Sequence, residues 1–215
     1  YSEEQIRWTH CVLTSFAAPP RVALLGRSSI GLNNTEVAVD ASGLAKESTS
    51  TPSDLIALGE LAFEHPVINQ IIRQPSAVIP VHGTIYSANA RWSIDRKIIG
   101  IKTGLTDEAG ACYLFAVEHT VNSTPVTIIG VVRGMRTLTD TFKSSQALIH
   151  SSKKYFTMTK VITAGETFAT LTTPWSSTAS VVARHDISVV NWQGSVVRPT
   201  AEMATISRSL PAGSQ

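Results

Sequence analysis

The chain has 215 residues, 43% hydrophobic and only 16% charged, which is enough apolar material to bury a core in one large or two modest domains and excludes disorder. Its net charge of +2 comes from nearly balanced acids and bases without a basic run, so no phosphate-tracking surface and no nucleic-acid partner are expected. No uncharged apolar stretch is long enough to cross a membrane, and the opening at Tyr1, with no charged and apolar leader, reads as a mature or truncated product.

Residues 1–30 show neither a helical nor an alternating pattern, and Pro19 and Pro20 interrupt them, so this segment is left unassigned. From Gly31 the signals sharpen: G-L-N-N-T predicts a turn, E-V-A-V a short extended piece and D-A-S-G-L a second turn. A helix should follow. Thr51 can cap it, Pro52 suits its first position, and Asp54 stands three residues after the cap. Leu55, Leu58, Leu61 and Ala62 supply its apolar face, and Pro66 should stop it at His65. Val67 to Gln74 reads as a second short helix ended by Pro75.

After Pro75 the period changes. Ala77 to Val81 and Ile98 to Lys102 read as strands, and Ala111 to Glu118 should pair with Val126 to Val132 across the turn-forming V-N-S-T-P. A helix from Thr139 to His150, with Phe142, Ala147, Leu148 and Ile149 on one face, would cover that sheet. Beyond Tyr155 short segments such as K-V-I-T, F-A-T-L, S-V-V-A and I-S-V-V alternate with Gly, Pro, Ser and Asn, which predicts a separate small all-β unit starting near Thr157.

Two cysteines, Cys11 and Cys112, do not by themselves imply a pairing. Cys112 lies in the apolar run A-C-Y-L-F-A-V and reads as a buried, inert thiol. His10, His65, His82, His119, His150 and His185 lack the short spacing that lets two side chains share one ion, so neither metal nor cofactor is expected. Asn33-Asn34-Thr35 and Asn122-Ser123-Thr124 fit glycosylation strings, but both occupy turns that favour Asn for conformational reasons.

The segment with most chemical content is I-I-G-I-K-T-G-L-T-D-E-A-G, Ile98 to Gly110, where a strand-forming run delivers Lys102, Thr103 and Gly104 in succession. In order, G-L-N-N-T-E-V-A-V-D-A-S-G-L, S-T-S-T-P-S-D-L-I-A-L, G-I-K-T-G-L-T-D-E-A-G-A-C and V-V-R-G-M resemble successive segments of the serine-type D-alanyl-D-alanine carboxypeptidases, the low-molecular-mass penicillin-binding proteins. The resemblance covers residues 31–210. It implies an α+β chain: residues 31–156 as the C-terminal part of a transpeptidase/β-lactamase-like domain, with an antiparallel sheet and helices, and residues 157–215 as a small β-sandwich-like domain.

Such an enzyme acylates and deacylates a serine, which takes an activated hydroxyl, a proton shuttle and an oxyanion hole. By the resemblance, Lys102 is the catalytic-site residue present here, giving hydrogen bonds and positive charge near the active serine. The Thr103 hydroxyl would hold the terminal carboxylate of D-Ala-D-Ala or of a penicillin. Gly104 would let the acyl chain lie against the backbone, and the Leu105 N–H would supply one oxyanion-hole donor. The implied partners are peptidoglycan stem peptides and, for the complete enzyme, β-lactams; the implied location is periplasmic or extracytoplasmic.

The other family motifs are out of place. S-x-x-K occurs only at Ser151 to Lys154, after K-T-G instead of before it, and reads as a solvated helix end with cations near the negative pole of the dipole. Ser87-Ala88-Asn89 fits S-x-N as a string but stands in the approach to the K-T-G strand and reads as coincidence. Truncation, a shifted reading frame over residues 1–30, or loss of catalysis would each account for this, and the first two are favoured. The chain alone is therefore expected to be inactive, with three sheet strands lacking a cover and exposing apolar surface. Relatives often end in an amphipathic membrane-anchoring helix; the tail S-R-S-L-P-A-G-S-Q has no such face, so peripheral membrane association would need an anchor absent here. A non-catalytic peptidoglycan-binding or scaffold protein is the alternative reading.

Overall fold

The computed structural model describes residues 6–7, 30–37, 45–91, 97–172 and 178–199. Cys11, His10, most of the unassigned N-terminal segment, the second half of E-V-A-V, the D-A-S-G-L turn and the C-terminal tail lie outside the described residues. The chain divides into two compact units, Tyr1–Lys154 and Tyr155–Gln215.

In the first unit, β1 (Ile6–Arg7) pairs antiparallel with β2 (Thr49–Ser50), a contact the sequence did not suggest. Of the expected E-V-A-V strand, Glu36 makes a single bridge to Thr49. Helix α1 (Pro52–Glu64) starts as predicted: Thr51 Oγ1 accepts from the Asp54 N–H at 3.3 Å, with Pro52 at the first position. The Asp54 carboxylate has a different use. It accepts from the Asn34 N–H at 2.8 Å and the Thr35 hydroxyl at 2.7 Å, while Thr35 shares a 2.8 Å bond with Ser50. Buried as they are, these groups tie the G-L-N-N-T turn to the first turn of α1.

Leu55, Leu58 and Ala62 are buried as expected, but Leu61 is 39% exposed and Gly59 takes its place on the inner face. A Cβ at Gly59 would lie 3.1 Å from Ile129 and 3.2 Å from Leu114, so its absence is what lets α1 press against the sheet. The second helix, α2 (Pro66–Ile72), begins earlier and ends earlier than predicted: His65 caps it through Nδ1 to the Ile68 N–H, and Pro66, read as a stop, is its first residue.

The strand expected at Ala77 to Val81 is β3 (Ser76–Ile79), which pairs with an unforeseen β4 (Gly83–Tyr86). Pro80 ends the strand, and Val81 sits in the turn at φ 76. A short helix, α3 (Ala88–Arg91), follows. The main sheet comprises β5 (Ile98–Thr106), β6 (Gly110–Val121) and β7 (Thr124–Met135) in that order, all antiparallel. Both hairpin strands run longer than predicted, because the turn is only Asn122-Ser123, with φ of 46° and 69°, the two left-handed residues of a tight hairpin.

Helix α4 (Leu138–Lys153) extends past both predicted ends; Thr137 caps it, accepting from the Asp140 N–H at 3.1 Å. Phe142 and Ile149 are buried as expected, whereas Ala147 and Leu148 face outward and Thr141 and Ser145 face inward. The hydroxyls of Thr141 and Ser145 bond back to the carbonyls of Thr137 and Thr141, which makes their burial tolerable.

Residues alternate faces along β6, and both faces are covered. Cys112, Leu114 and Ala116 pack with Leu55, Leu58 and Ala62 of α1 and with Ile99 and Ile101 of β5. Tyr113, Phe115 and Val117 pack with Phe142 and Ile149 of α4. The expectation of an uncovered sheet is thus overturned for the central strand, where residues 111–117 are all buried. Exposed apolar side chains gather instead on the β3–β4 hairpin, at Val78, Val81 and Tyr86.

In the second unit, β8 (Phe156–Ile162) pairs with β11 (Ile187–Trp192) and β9 (Thr167–Thr172) with β10 (Thr178–Val182), all antiparallel. Trp192 packs against Tyr155 and, edge to face, against Phe156, at ring separations of 5.2 and 5.1 Å. Lys160 pairs with Asp186 at 2.5 Å, and Asp186 also accepts from the Ala164 N–H at 2.8 Å.

Candidate substrate-binding edge

All four residues singled out from the sequence lie on β5, an edge strand of the sheet among the described residues. β5 continues to Thr106, beyond the predicted end at Lys102, so K-T-G is paired strand and not its terminus. Lys102 lies opposite Leu114, Thr103 opposite Tyr113, Gly104 opposite Cys112 and Leu105 opposite Ala111. Lys102, Thr103 and Gly104 are half-buried, and the Lys102 Nζ donates to the Thr103 carbonyl. Leu105 is 53% exposed, so the edge opens toward solvent at this end.

A bulge decides which side chain faces which way. Gly100 pairs with Phe115 and Lys102 with Leu114, leaving Ile101 without a partner on β6. Cross-strand partners share a face, so Lys102 starts on the α1 face with Leu114 and Thr103 on the α4 face with Tyr113. Without the extra residue the two would exchange faces.

Beyond K-T-G, the Thr106 hydroxyl accepts from the Ala109 N–H at 3.1 Å and closes the T-D-E-A turn. Gly110 then takes φ +66, and a Cβ there would sit 2.8 Å from the Met135 carbonyl, so glycine is required where β6 begins. Cys112 is buried as expected, its Sγ near the carbonyls of Ala109 and Gly110 at 3.6 Å.

Several groups here went unsingled in the sequence. Leu105, Ala111 and Met135 form one rung, and exposed Arg136 follows Met135, adding positive charge to the same end of the sheet. Burial lowers the Arg133 guanidinium from its ordinary value, with the Cys112 thiol opposing that shift. Burial also raises the Tyr113 phenol well above its ordinary value. Asn89 of α3 donates to the Ile101 carbonyl at 3.3 Å. The signal for Asn89 was present in Ser87-Ala88-Asn89, though not as a proton relay.

Ser151 to Lys154 ends α4, where the Ser151 and Ser152 hydroxyls bond back to the Leu148 and Ile149 carbonyls at 2.9 and 3.1 Å. Among the described residues no three His, Cys, Asp or Glu side chains gather into a metal site, and no helix is long and apolar enough to cross a membrane.

No sequence-family model and no curated protein matches the chain. Solved structures do. Penicillin-binding protein D2 of Listeria monocytogenes, solved with cefotaxime bound, is 26% identical over 61% of this chain and 53% of its own, with a TM-score of 0.53. Penicillin-binding protein 5 of Haemophilus influenzae is 19% identical, TM-score 0.61, over 81% of this chain and 51% of its own. The D-alanyl-D-alanine carboxypeptidase DacD of Francisella tularensis is 16% identical, TM-score 0.60, over 80% and 55%. The chain thus spans about half the length of these structures, and its fold is that of the low-molecular-mass penicillin-binding proteins.

Proposed function

We propose that this chain carries the substrate-binding edge of a serine-type D-Ala-D-Ala carboxypeptidase acting outside the cytoplasmic membrane on peptidoglycan stem peptides. The complete enzyme would release the terminal D-alanine through an acyl-serine, and β-lactams would occupy the same edge. The observation that carries this reading is Lys102-Thr103-Gly104 set on an edge strand whose outer end is open at Leu105, within a penicillin-binding-protein fold.

An extended peptide can lie beside such an edge as an added strand. Lys102 favours an anionic terminus, with Arg136 adding positive charge beyond the Leu105–Ala111–Met135 rung; the Thr103 hydroxyl donates to it; and Gly104 leaves room for close approach. The chemical step needs a serine activated by a neighbouring amine. In this chain the S-x-x-K string is spent on the end of α4, so these residues hold substrate and do not acylate.

Titration with diacetyl-L-lysyl-D-alanyl-D-alanine, followed by amide NMR, tests the reading. The Thr103, Gly104 and Leu105 signals should move, with L-Ala-L-Ala inert, and Thr103→Val should weaken binding by about tenfold or more, the scale of a hydrogen bond to a charged group. Benzylpenicillin should leave the intact mass unchanged. Unmoved K-T-G signals, or a penicillin adduct, would each refute the assignment.

A further inference from the structure

We propose that Asn89 is a positioning residue for Lys102: its side chain holds the bulge at Ile101 and so fixes which face of β5 presents the lysine and which the threonine. The inference rests on the reading of Lys102 to Leu105 as the ligand-holding edge, and extends it to a residue that touches no ligand.

A bulged residue has lost its place in the ladder, and its backbone groups need other partners. Ile101 has no partner on β6, and its carbonyl accepts from Asn89 Nδ2 at 3.3 Å. The same side chain sits over the preceding residue: a Cβ on Gly100 would lie 2.4 Å from Asn89 Cβ and 3.0 Å from Asn89 Cγ. Asn89 therefore grips both residues N-terminal to Lys102, one by contact and one by hydrogen bond. It does so from α3, outside the sheet, at the edge where β5 has no neighbouring strand among the described residues.

The amide's other end shows that packing alone does not explain the residue. Asn89 Oδ1 is buried and finds no hydrogen-bond partner among the described residues. A buried acceptor left unpaired costs stability, and an apolar side chain of similar shape would fill the space without that cost. What the amide adds at this position is the donor to Ile101.

The bulge also has more to decide here than in an ordinary strand. If Ile101 slipped into the ladder, Lys102 would move to the α4 face and Thr103 to the α1 face, exchanging charge and hydroxyl relative to any peptide lying along the edge.

The test uses the full isotopically labelled chain and Asn89→Leu, which keeps the shape and removes the donor; Asn89→Asp serves the same purpose if the leucine variant does not fold. In the wild type, nuclear Overhauser contacts should join Lys102 to Leu114. In the variant, the Ile101 carbonyl carbon and Lys102 amide signals should shift, the Lys102 to Leu114 contacts should weaken, and signals of the Asn122-Ser123 turn should stay in place. Diacetyl-L-lysyl-D-alanyl-D-alanine should bind about three- to tenfold more weakly, the range for one lost hydrogen bond. Unchanged Ile101 and Lys102 signals would overturn the proposal whatever the peptide does. If the wild type binds no peptide, the ligand reading fails, and the carbonyl and contact signatures still decide whether Asn89 holds the bulge.

Discussion

Replacing Gly100 with alanine puts the packing of this edge to a quantitative test. The new Cβ would lie 2.4 Å from Asn89 Cβ, 2.9 Å from the Tyr113 hydroxyl oxygen and 3.0 Å from Asn89 Cγ. Carbon atoms rest about 3.5–4.0 Å apart, so α3 and β5 must separate by about 1 Å. Neither Asn89 Cβ nor Gly100 can yield by rotating a side chain. Overpacking of this kind costs about 1–3 kcal/mol. The Asn89 to Ile101 bond, at 3.3 Å already long, would open beyond reach and remove about 0.5–1.5 kcal/mol more. Gly100→Ala should therefore lose roughly 2–4 kcal/mol in urea denaturation, as a lower midpoint at an unchanged slope. Two of the three close approaches are to Asn89, so the second substitution Asn89→Gly should restore much of the overpacking part, a coupling of about 1–2 kcal/mol, while the approach to the Tyr113 hydroxyl remains. A loss below about 0.5 kcal/mol, or costs that merely add in the double variant, would refute the reasoning.

Asp54→Ala leaves the Asn34 N–H and the Thr35 hydroxyl without their buried acceptor, and thermal unfolding should show a loss of about 2–4 kcal/mol; near-native stability would mean the carboxylate holds nothing. Ser123→Gly should gain about 1 kcal/mol, because Ser123 sits at φ 69 where glycine is unstrained, and a neutral result in the same assay would count against a strained turn. Tyr113 has a proton held by burial above the ordinary value of 10.0. The unfolded chain releases it first, so stability should fall as pH rises past about 10, by up to about 1.4 kcal/mol per pH unit. Tyr113→Phe should flatten that fall between pH 9 and 11, and an unchanged slope would place the alkaline loss elsewhere.

What the sequence disclosed and what it hid divide along physical lines. Local chemistry was legible: Thr51 and Pro52 start α1, and the two apolar runs flanking the turn-forming V-N-S-T-P make the β6–β7 hairpin. Burial was less so. Leu61 and Leu148 are apolar and exposed, while Gly59, Thr141 and Ser145 face inward, because close helix approach and i−4 hydroxyl bonds override hydropathy at those positions. Pro66 stops α1 as read, with His65 as its C-cap, and also opens α2, one residue before the reading began it. At the candidate site the identity of Lys102 to Leu105 was legible, but their faces were not. A bulge is a relation between two strands, and nothing in I-I-G-I-K-T-G announces that Ile101 is skipped by β6.

That skipped residue bears on what the chain can do by its own means. Its K-T-G edge offers a cation, a hydroxyl and open backbone, a set able to hold an extended peptide by its carboxylate end. The S-x-x-K string adds no nucleophile to it, since the Ser151 and Ser152 hydroxyls bond to α4 carbonyls. A carboxylate held by one hydroxyl and nearby charge, in a site half open to water, should bind in the millimolar range, about −4 kcal/mol. Micromolar binding of the D-Ala-D-Ala peptide would need contacts that these residues do not supply, and would show that other parts of the chain close over the edge. Millimolar binding weakened about three- to tenfold by Asn89→Leu, as the bulge that fixes the face of Lys102 loosens, would show that orientation on this strand, more than the bare presence of K-T-G, makes the site.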